Sequence, residues 1–309
     1  MSIYVPSASP VIPSGAKESL SHDIADYPDG VVLPIDKPYR WTSADVIRKV
    51  KFAAFRHFRK KNLKVGHAGT LDPLATGVLL VCLGPACKRA QEFQDHDKEY
   101  VASVRFGATT PSYDLEKEVD RTFPYDQVTE EAVRAVLPSF LGPQEQVAPL
   151  FSAKSVDGVR AYEMARKLYR NAQKGIQDPD FDAAALETLH RSRITISELE
   201  LLGFVEASAE TPDADAACTQ TVISSDAAGG VEKSASSRIN VADTSSLGLP
   251  EARIRIACSK GTYIRAFARD LGEALGTGAH LSGLVRTKTG AFRLEDALSL
   301  EEALAMLAD

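Results

Sequence analysis

Continuous and alternating apolar segments predict the strands of this chain. Leu79-Leu80-Val81-Cys82-Leu83 follows Gly77 as an unbroken apolar run, which is typical of a buried strand. Other segments alternate apolar and polar residues, or are short and apolar, and they predict five more strands: 31–35, 98–106, 193–196, 199–205 and 252–258.

Helical spacing of apolar residues occurs in three further segments. Thr42 or Ser43 can cap a helix that runs to about Arg59, and Pro138 ends a second helix predicted over 128–137. A third helix is predicted to run to about Leu275. The first and third helices each have an apolar face, formed by Ile47, Val50, Ala54 and Phe58 in one and by Ile264, Phe267, Leu271 and Leu275 in the other.

Two stretches lack periodicity. Residues 1–30 are rich in Ser, Pro and small residues, and we expect a mobile, disordered tail there. Residues 206–250 are rich in Ala, Ser, Thr and Asp, and we expect a disordered acidic insertion between two neighbouring strands, because the cost of loop closure rises slowly with length. The remaining residues, 31–300, are predicted to form one domain, followed by a short C-terminal tail over 301–309.

Charge is distributed unevenly along the chain. The net charge of −6 argues against a nucleic-acid partner, but residues 48–64 contain eight basic residues and no acidic one. Residues 206–250 contain seven acids and two bases, a net of −5. A solvated charged face is the usual explanation of a basic helix. Here the basic stretch leads directly into a Gly-rich loop, which favours a phosphate-facing surface.

The chain carries few signs of export or metal binding. It lacks an apolar run of about 18 residues and the charged-then-apolar pattern of a signal peptide, so we expect no membrane association. The cysteines have no metal-ligand spacing, and Cys82 and Cys258 are predicted to be small core residues. A reduced, cytoplasmic setting is the simplest inference.

The most informative stretch is the Gly-rich segment 64–79. Its glycines allow sharp turns or the close approach of a ligand, and its single carboxylate, Asp72, lies just before the predicted core strand. Such a loop is well placed for chemistry. The alternative is a helix start, with Asp72 as N-cap and Pro73 at the first helical position.

Residues 66–79, Gly-His-Ala-Gly-Thr-Leu-Asp-Pro-Leu-Ala-Thr-Gly-Val-Leu, resemble the signature of the TruB family of tRNA pseudouridine synthases. One difference is Ala68, where that family often has Thr. The run Cys258-Ser-Lys-Gly-Thr-Tyr-Ile-Arg265 resembles a second family segment residue for residue. The similarity covers roughly residues 30–300, interrupted by insertions at 173–187 and 206–250. It implies an α+β pseudouridine synthase fold, with a curved, mainly antiparallel mixed sheet, flanking helices and an RNA-binding cleft.

The resemblance assigns the catalytic roles. Asp72 would be the nucleophile, and Arg265 would pair with it, since a guanidinium offsets the pKa rise that burial imposes on a carboxylate. Tyr100, which follows Lys98 at the start of a strand, would stack on the target base and could serve as acid or base. Attack by Asp72 on the ribose and attack on the uracil ring remain open alternatives.

The resemblance also implies substrate contacts. Tyr263 and Leu284 would complete the base pocket, and His67 would contact the flipped-out nucleotide. Lys37, in an Asp-Lys-Pro turn, could contact phosphate; a solvated turn lysine is the alternative. The loop Thr110-Pro-Ser-Tyr-Asp114 is similar to a family Thr-Asp-Thr-x-Asp loop in which Pro111 replaces the first Asp.

The implied activity is isomerisation of uridine 55 in the T-loop of tRNA. It would need no cofactor and no metal, and we expect tRNA as partner, no required protein partner and a monomer. We expect no C-terminal PUA-type RNA-binding domain, since only about sixteen residues follow Arg293. The alternatives are a guide-RNA-dependent relative and a non-catalytic RNA-binding or tRNA-folding protein.

Overall fold

The computed structural model describes residues 20–149, 155–156, 159–160, 191–208, 239 and 241–308. Where the sequence predicts one domain, these residues form two compact units. The first unit contains residues 20–101, 239 and 284–308, and the second contains the described residues of 102–208 and 241–283. The boundary between the units falls within two strands, β4 (Lys98–Phe106) and β12 (Ala279–Thr289).

Unit 1 is built on a mixed sheet around the predicted apolar strand. This strand, β3 (Ala75–Leu83), pairs antiparallel with β1 (Val31–Lys37) and β2 (Val65–Ala68), and parallel with β12. The edges carry β13 (Phe292–Arg293) beside β12 and β14 (Leu298–Ser299) beside β1. Nearly every side chain of β3 is buried, which explains its unbroken apolar sequence.

Three helices belong to unit 1: α1 (Ser43–His57), α2 (Ala90–Asp95) and α5 (Leu300–Ala305). The predicted cap of α1 is confirmed, because Thr42 and Asp45 form a reciprocal capping box. The sequence predicts Ile47 on the buried face of α1, but Ile47 is only half-buried and its neighbour Val46 is buried instead.

Both predicted tails are partly folded, which corrects the sequence-based boundaries. Leu20 and Ile24 are buried, and a 3-10 turn spans Ile24–Asp26. At the other end, α5 begins with a Ser299–Glu302 capping box, and Leu307 is buried. In each segment a few apolar residues lie among small or polar ones, so the composition gave no sign of their burial.

Unit 2 has a second run of strands, in the order β12, β4, β11 (Glu251–Cys258), β10 (Arg191–Val205) and β7 (Gly142–Val147). Its further elements include two short antiparallel pairs, β5 (Ala108–Thr109) with β6 (Arg121–Thr122) and β8 (Ser155–Val156) with β9 (Val159–Arg160), and two helices, α3 (Glu130–Val136) and α4 (Ile264–Ala274). The buried stripe of α4 is confirmed, since Ile264, Phe267 and Leu271 are all buried.

Two strand predictions in unit 2 need correction. The segments 193–196 and 199–205 form one strand, β10, with irregularities in its pairing with β11 at 196–198 and 201–203. The predicted insertion also begins and ends differently, because residues 241–250 are part of the fold. Ala242 and Thr244 are buried, and the Ser208 amide donates to the Gly248 carbonyl over 3.1 Å. Residues 173–187 and 209–238 lie outside the described residues.

Strand pairing within the units is mixed and mainly antiparallel, with helices, so the predicted α+β class is confirmed. In the part of the chain that the structure describes, no helix is long and apolar enough to cross a membrane.

Candidate active site

The loop that carries Asp72 lies between β2 and β3, and the backbone on each side of Asp72 adopts a conformation that requires glycine. Gly69 and Gly77 have φ angles of +90° and +101°. A Cβ atom on Gly77 would lie 2.2 Å from the carbonyl oxygen of Arg286 on the paired strand β12. Only a residue without a side chain allows β12 to approach this closely.

Arg286 holds both ends of this loop, and sequence reasoning assigned it no role. The side chain is 1% exposed; Nε donates to the Val78 carbonyl over 2.8 Å and Nη2 donates to the Gly69 carbonyl over 3.0 Å. A buried guanidinium needs such acceptors, because burying an unpaired charge is costly. Its signal in the sequence was an arginine within an otherwise mostly apolar strand segment, Leu284-Val285-Arg286.

Lys37 is also buried, with no exposed surface. Its Nζ donates to the carbonyls of Pro38, Trp41 and Pro73 over 2.8, 2.6 and 3.2 Å. Burial lowers the pKa of Lys37 to about 7, against an opposing attraction from Asp72. The sequence-based interpretations of Lys37 were a phosphate contact and a solvated turn lysine. Both need an exposed ammonium, so the burial of Lys37 excludes them.

Asp72 is half-buried in a turn that leads directly into β3. Its carbonyl accepts a hydrogen bond from the Ala75 amide over 3.1 Å. No helix begins at this position, so the helix-cap alternative is wrong. The carboxylate is thus carried on an irregular loop that buried cations and a core strand hold on both sides.

Three further predicted residues lie in unit 1. His67 is on β2, and burial, and to a smaller extent Arg286, lowers its pKa and so favours the neutral imidazole. Its Nδ1 is buried and has no hydrogen-bond partner among the described residues. Leu284 pairs with Ala75, three residues after Asp72, and Tyr100 is 8% exposed on β4. Unit 1 therefore contains the predicted nucleophile and four of the other predicted residues.

Arg265 lies in unit 2, in the first turn of α4. Its side chain is 5% exposed; Nη1 donates to the Ser112 carbonyl over 3.2 Å, and Nε lies 3.7 Å from an oxygen of Asp114. Asp114 also accepts from the Ser112 hydroxyl and from the Glu116 amide. The loop with the unusual Pro111 therefore holds the arginine through Ser112 and Asp114, a role that the sequence left undefined.

Tyr263 precedes α4 and is fixed by a glutamine that sequence reasoning did not single out as a functional residue. The amide of Gln146 accepts from the Tyr263 backbone N–H over 2.8 Å and donates to the Tyr263 carbonyl over 3.1 Å.

The implied pairing of Arg265 with Asp72 stays a prediction, as do the roles of Tyr100, Tyr263, Leu284 and His67.

The basic side chains of α1 and of the loop that follows it are exposed to solvent. All eight basic residues are exposed, and Phe52, on the same helix, is 66% exposed. The Arg56 guanidinium lies 6.0 Å from the centre of the Phe52 ring, and Lys51 lies 5.3 Å from that of Phe55. Exposed cations beside an exposed ring, such as that of Phe52, can bind phosphates and stack on unpaired bases. Within the described ranges, no cluster of three or more His, Cys, Asp or Glu residues could hold a metal ion.

Comparisons with known proteins agree with one another. Residues 56–211 match the family described as TruB family pseudouridylate synthase (N terminal domain), and residues 265–309 match the tRNA pseudouridylate synthase B C-terminal domain. The chain is 44% identical to the tRNA pseudouridine synthase B of Phocaeicola vulgatus and 45% identical to that of Bacteroides thetaiotaomicron. Each alignment covers 89% of this chain and 92% of the relative.

A solved structure shares the fold. A chain in the crystal structure of a Cbf5-Nop10-Gar1 complex is 22% identical, with a TM-score of 0.53, and the match covers 94% of this chain and 59% of that chain. At this identity the likeness extends to the fold alone.

Proposed function

The chain belongs to the TruB family of pseudouridylate synthases, and on that premise we propose that it converts uridine to pseudouridine at position 55 in the T-loop of tRNA. The observation that carries this proposal is the 66–79 motif, with Asp72 on a loop fixed by two buried cations. Relatives of nearly the same length named tRNA pseudouridine synthase B support tRNA as the substrate.

The reaction exchanges one bond of uracil for another. The bond from N1 to the ribose C1′ breaks and a bond from C5 to C1′ forms, while C5 loses a proton and N1 gains one. The oxidation state is unchanged, so the reaction calls for no redox partner, no phosphate donor and no cofactor. A single ionised carboxylate suffices as nucleophile, and Asp72 is our assignment.

The remaining residues would prepare the base for this attack. Arg265, on the evidence of the resemblance, would neutralise the half-buried Asp72 carboxylate. Tyr100 would stack on the flipped-out uracil and move its proton. Tyr263 and Leu284 would line the base pocket. The Nδ1 of His67, which has no hydrogen-bond partner among the described residues, suits a hydrogen bond to the nucleotide. The lowered pKa of His67 makes it a poor cationic contact for phosphate.

The phosphates of the tRNA would bind the exposed basic surface of α1 and its C-terminal loop. Affinity from such contacts falls as salt rises, because each one releases counterions from the RNA. We further propose a monomeric enzyme that works in the cytoplasm without a required protein partner.

The direct test is to incubate the purified protein with a tRNA transcript, without added cofactor, and to map pseudouridine along the RNA. Pseudouridine at position 55 alone is expected, and a transcript with cytidine at that position should yield none. Tight binding of the transcript with no product would instead favour a tRNA-folding protein.

A further inference from the structure

Ser43, the first residue of α1, is hydrogen-bonded to both backbone groups of the residue directly before Asp72. Its Oγ accepts from the Leu71 amide over 2.9 Å and donates to the Leu71 carbonyl over 3.1 Å. Ser43 is 2% exposed and Leu71 is 4% exposed, so water does not readily replace these bonds. A hydroxyl is the smallest side-chain group that can donate and accept at the same time.

These bonds control the orientation of the Asp72 backbone. The Leu71 carbonyl belongs to the peptide plane that precedes the Asp72 Cα, and the Asp72 carbonyl belongs to the plane that follows it. Ser43 holds the first plane and the Ala75 amide holds the second. Because these two planes set the direction of the Cα–Cβ bond, release of either one lets the carboxylate move.

The turn before α1 reinforces this arrangement. The Pro73 carbonyl accepts from the Arg40 amide over 3.0 Å and from the Lys37 ammonium over 3.2 Å. Arg40 has a φ of +63°, a conformation that non-glycine residues rarely adopt and that is often kept at functional sites. Lys37, Arg40 and Ser43 therefore hold the chain on both sides of Asp72.

We propose that Ser43 is a positioning residue of the reaction, which orients Asp72 by holding the Leu71–Asp72 peptide plane. This inference rests on the proposed function, since it assumes that Asp72 is the nucleophile. Small displacements of a reacting group lower the rate of the chemical step, because catalysis depends on a near-attack geometry.

The test compares Ser43→Ala with Thr42→Ala. Thr42 is the N-cap of the same helix, and its hydroxyl is hydrogen-bonded to Asp45 rather than to Leu71, so its loss weakens α1 without freeing the Asp72 plane. For Ser43→Ala we expect kcat to fall by roughly ten- to a hundredfold, with KM for tRNA within about twofold of wild type. Thr42→Ala should lower the thermal midpoint at least as much while kcat stays within about twofold.

Two further variants distinguish the hydroxyl from the packing. Ser43→Thr keeps the hydroxyl, whereas Ser43→Cys keeps the volume but offers only a weak donor and acceptor. The kcat of the Thr variant should exceed that of the Cys variant, and this comparison holds even when Ser43→Ala fails to fold. The inference is overturned by equal kcat values in wild type and Ser43→Ala, by equal losses in Ser43→Ala and Thr42→Ala, or by a Cys variant as fast as the Thr variant. A wild-type protein that forms no pseudouridine contradicts the proposed function instead.

Discussion

At the scale of single residues, the candidate site depends on two buried cations that hold backbone rather than substrate. Arg286 holds the carbonyls of Gly69 and Val78, and Lys37 holds three carbonyls, including that of Pro73. Each donates from a fixed position into the loop around Asp72. Both are fully or almost fully buried, although lysine and arginine are among the residue types least often found there.

Burial of Lys37 makes stability depend on pH. The pKa of Lys37 falls from 10.5 to about 7 on folding, so between these values the folded protein holds fewer protons than the unfolded chain. The cost of burying the ammonium is fully present below about pH 7 and is relieved as pH rises toward 10.5. Relative to Lys37→Met, the wild type should therefore gain stability between pH 7 and 9, by at most about 2–3 kcal/mol.

Urea unfolding of both proteins at several pH values measures this gain. Lys61→Met, at an exposed lysine, is the control and should follow the wild-type pH dependence. Parallel stability curves for wild type and Lys37→Met would show that the buried lysine does not titrate in this range.

The sequence draws attention to the candidate catalytic loop but not to the residues that support it. Asp72 and the glycines around it stand out because a carboxylate in a Gly-rich loop before an apolar strand is unusual. The supporting roles of Lys37 and Arg286 do not, since their partners are backbone carbonyls and a carbonyl leaves no trace in the residue pattern. Gln146 escaped notice for the same reason, because its side-chain amide binds backbone groups of Tyr263.

At the scale of elements, strands with a regular pattern of apolar residues were predicted correctly, whereas a strand with irregular pairing was not. The alternation of β4 and the apolar run of β3 match their burial closely. β10 was divided in two because its pairing with β11 shifts between Ile196 and Glu198. An extra residue at such a shift reverses the inward and outward alternation, so the pattern resembles a break between two strands.

The helix α1 and its basic C-terminal loop should supply much of the affinity for tRNA. Changing Arg56, Arg59 and Lys60 to Gln should weaken binding and flatten the salt dependence by roughly one unit of slope per lost contact. Turnover at saturating tRNA should change little, because Asp72, Tyr100 and Arg265 are untouched.

Affinity measured across a salt series tests this surface. A matched variant changes three exposed arginines of unit 2, Arg121, Arg134 and Arg253, to Gln and removes the same total charge. It should lose less affinity and keep the wild-type slope. Equal slopes and affinities in the wild type and the α1 variant would show that this helix faces solvent in the complex.

At the scale of the whole molecule, composition overstated the extent of the predicted acidic insertion. Thr244 is buried and accepts a hydrogen bond from Arg105 over 2.7 Å, and the Ala242 amide donates to the Leu115 carbonyl over 2.8 Å. These residues are small, and small residues give no hydrophobic period, so the sequence could not separate them from the low-complexity stretch that precedes them.

Removal of residues 209–238 should therefore be tolerated. Ser208 and Ala242, which flank these residues, are each hydrogen-bonded within unit 2, so a Gly-Ser linker can replace 209–238 while both remain held in the fold. Loop closure costs change only slightly with length. We expect the free energy of unfolding and the turnover to stay near wild type. The longer deletion of 206–250 removes Ala242 and Thr244 and should destabilise the protein by more than about 1 kcal/mol.

Urea unfolding of the two deletion variants distinguishes these outcomes. Loss of cooperative unfolding in the shorter deletion would show that residues 209–238 contribute to the core.

The central claim, that Asp72 is the nucleophile of a tRNA pseudouridine synthase, is tested most directly by single-turnover conversion of a tRNA transcript by Asp72→Asn. Asp126→Asn, at an exposed aspartate of unit 2, is the matched control. The account predicts that Asp72→Asn forms no pseudouridine while binding tRNA nearly as tightly as wild type, and that Asp126→Asn converts uridine 55 at the wild-type rate. More than trace conversion by purified Asp72→Asn would contradict it.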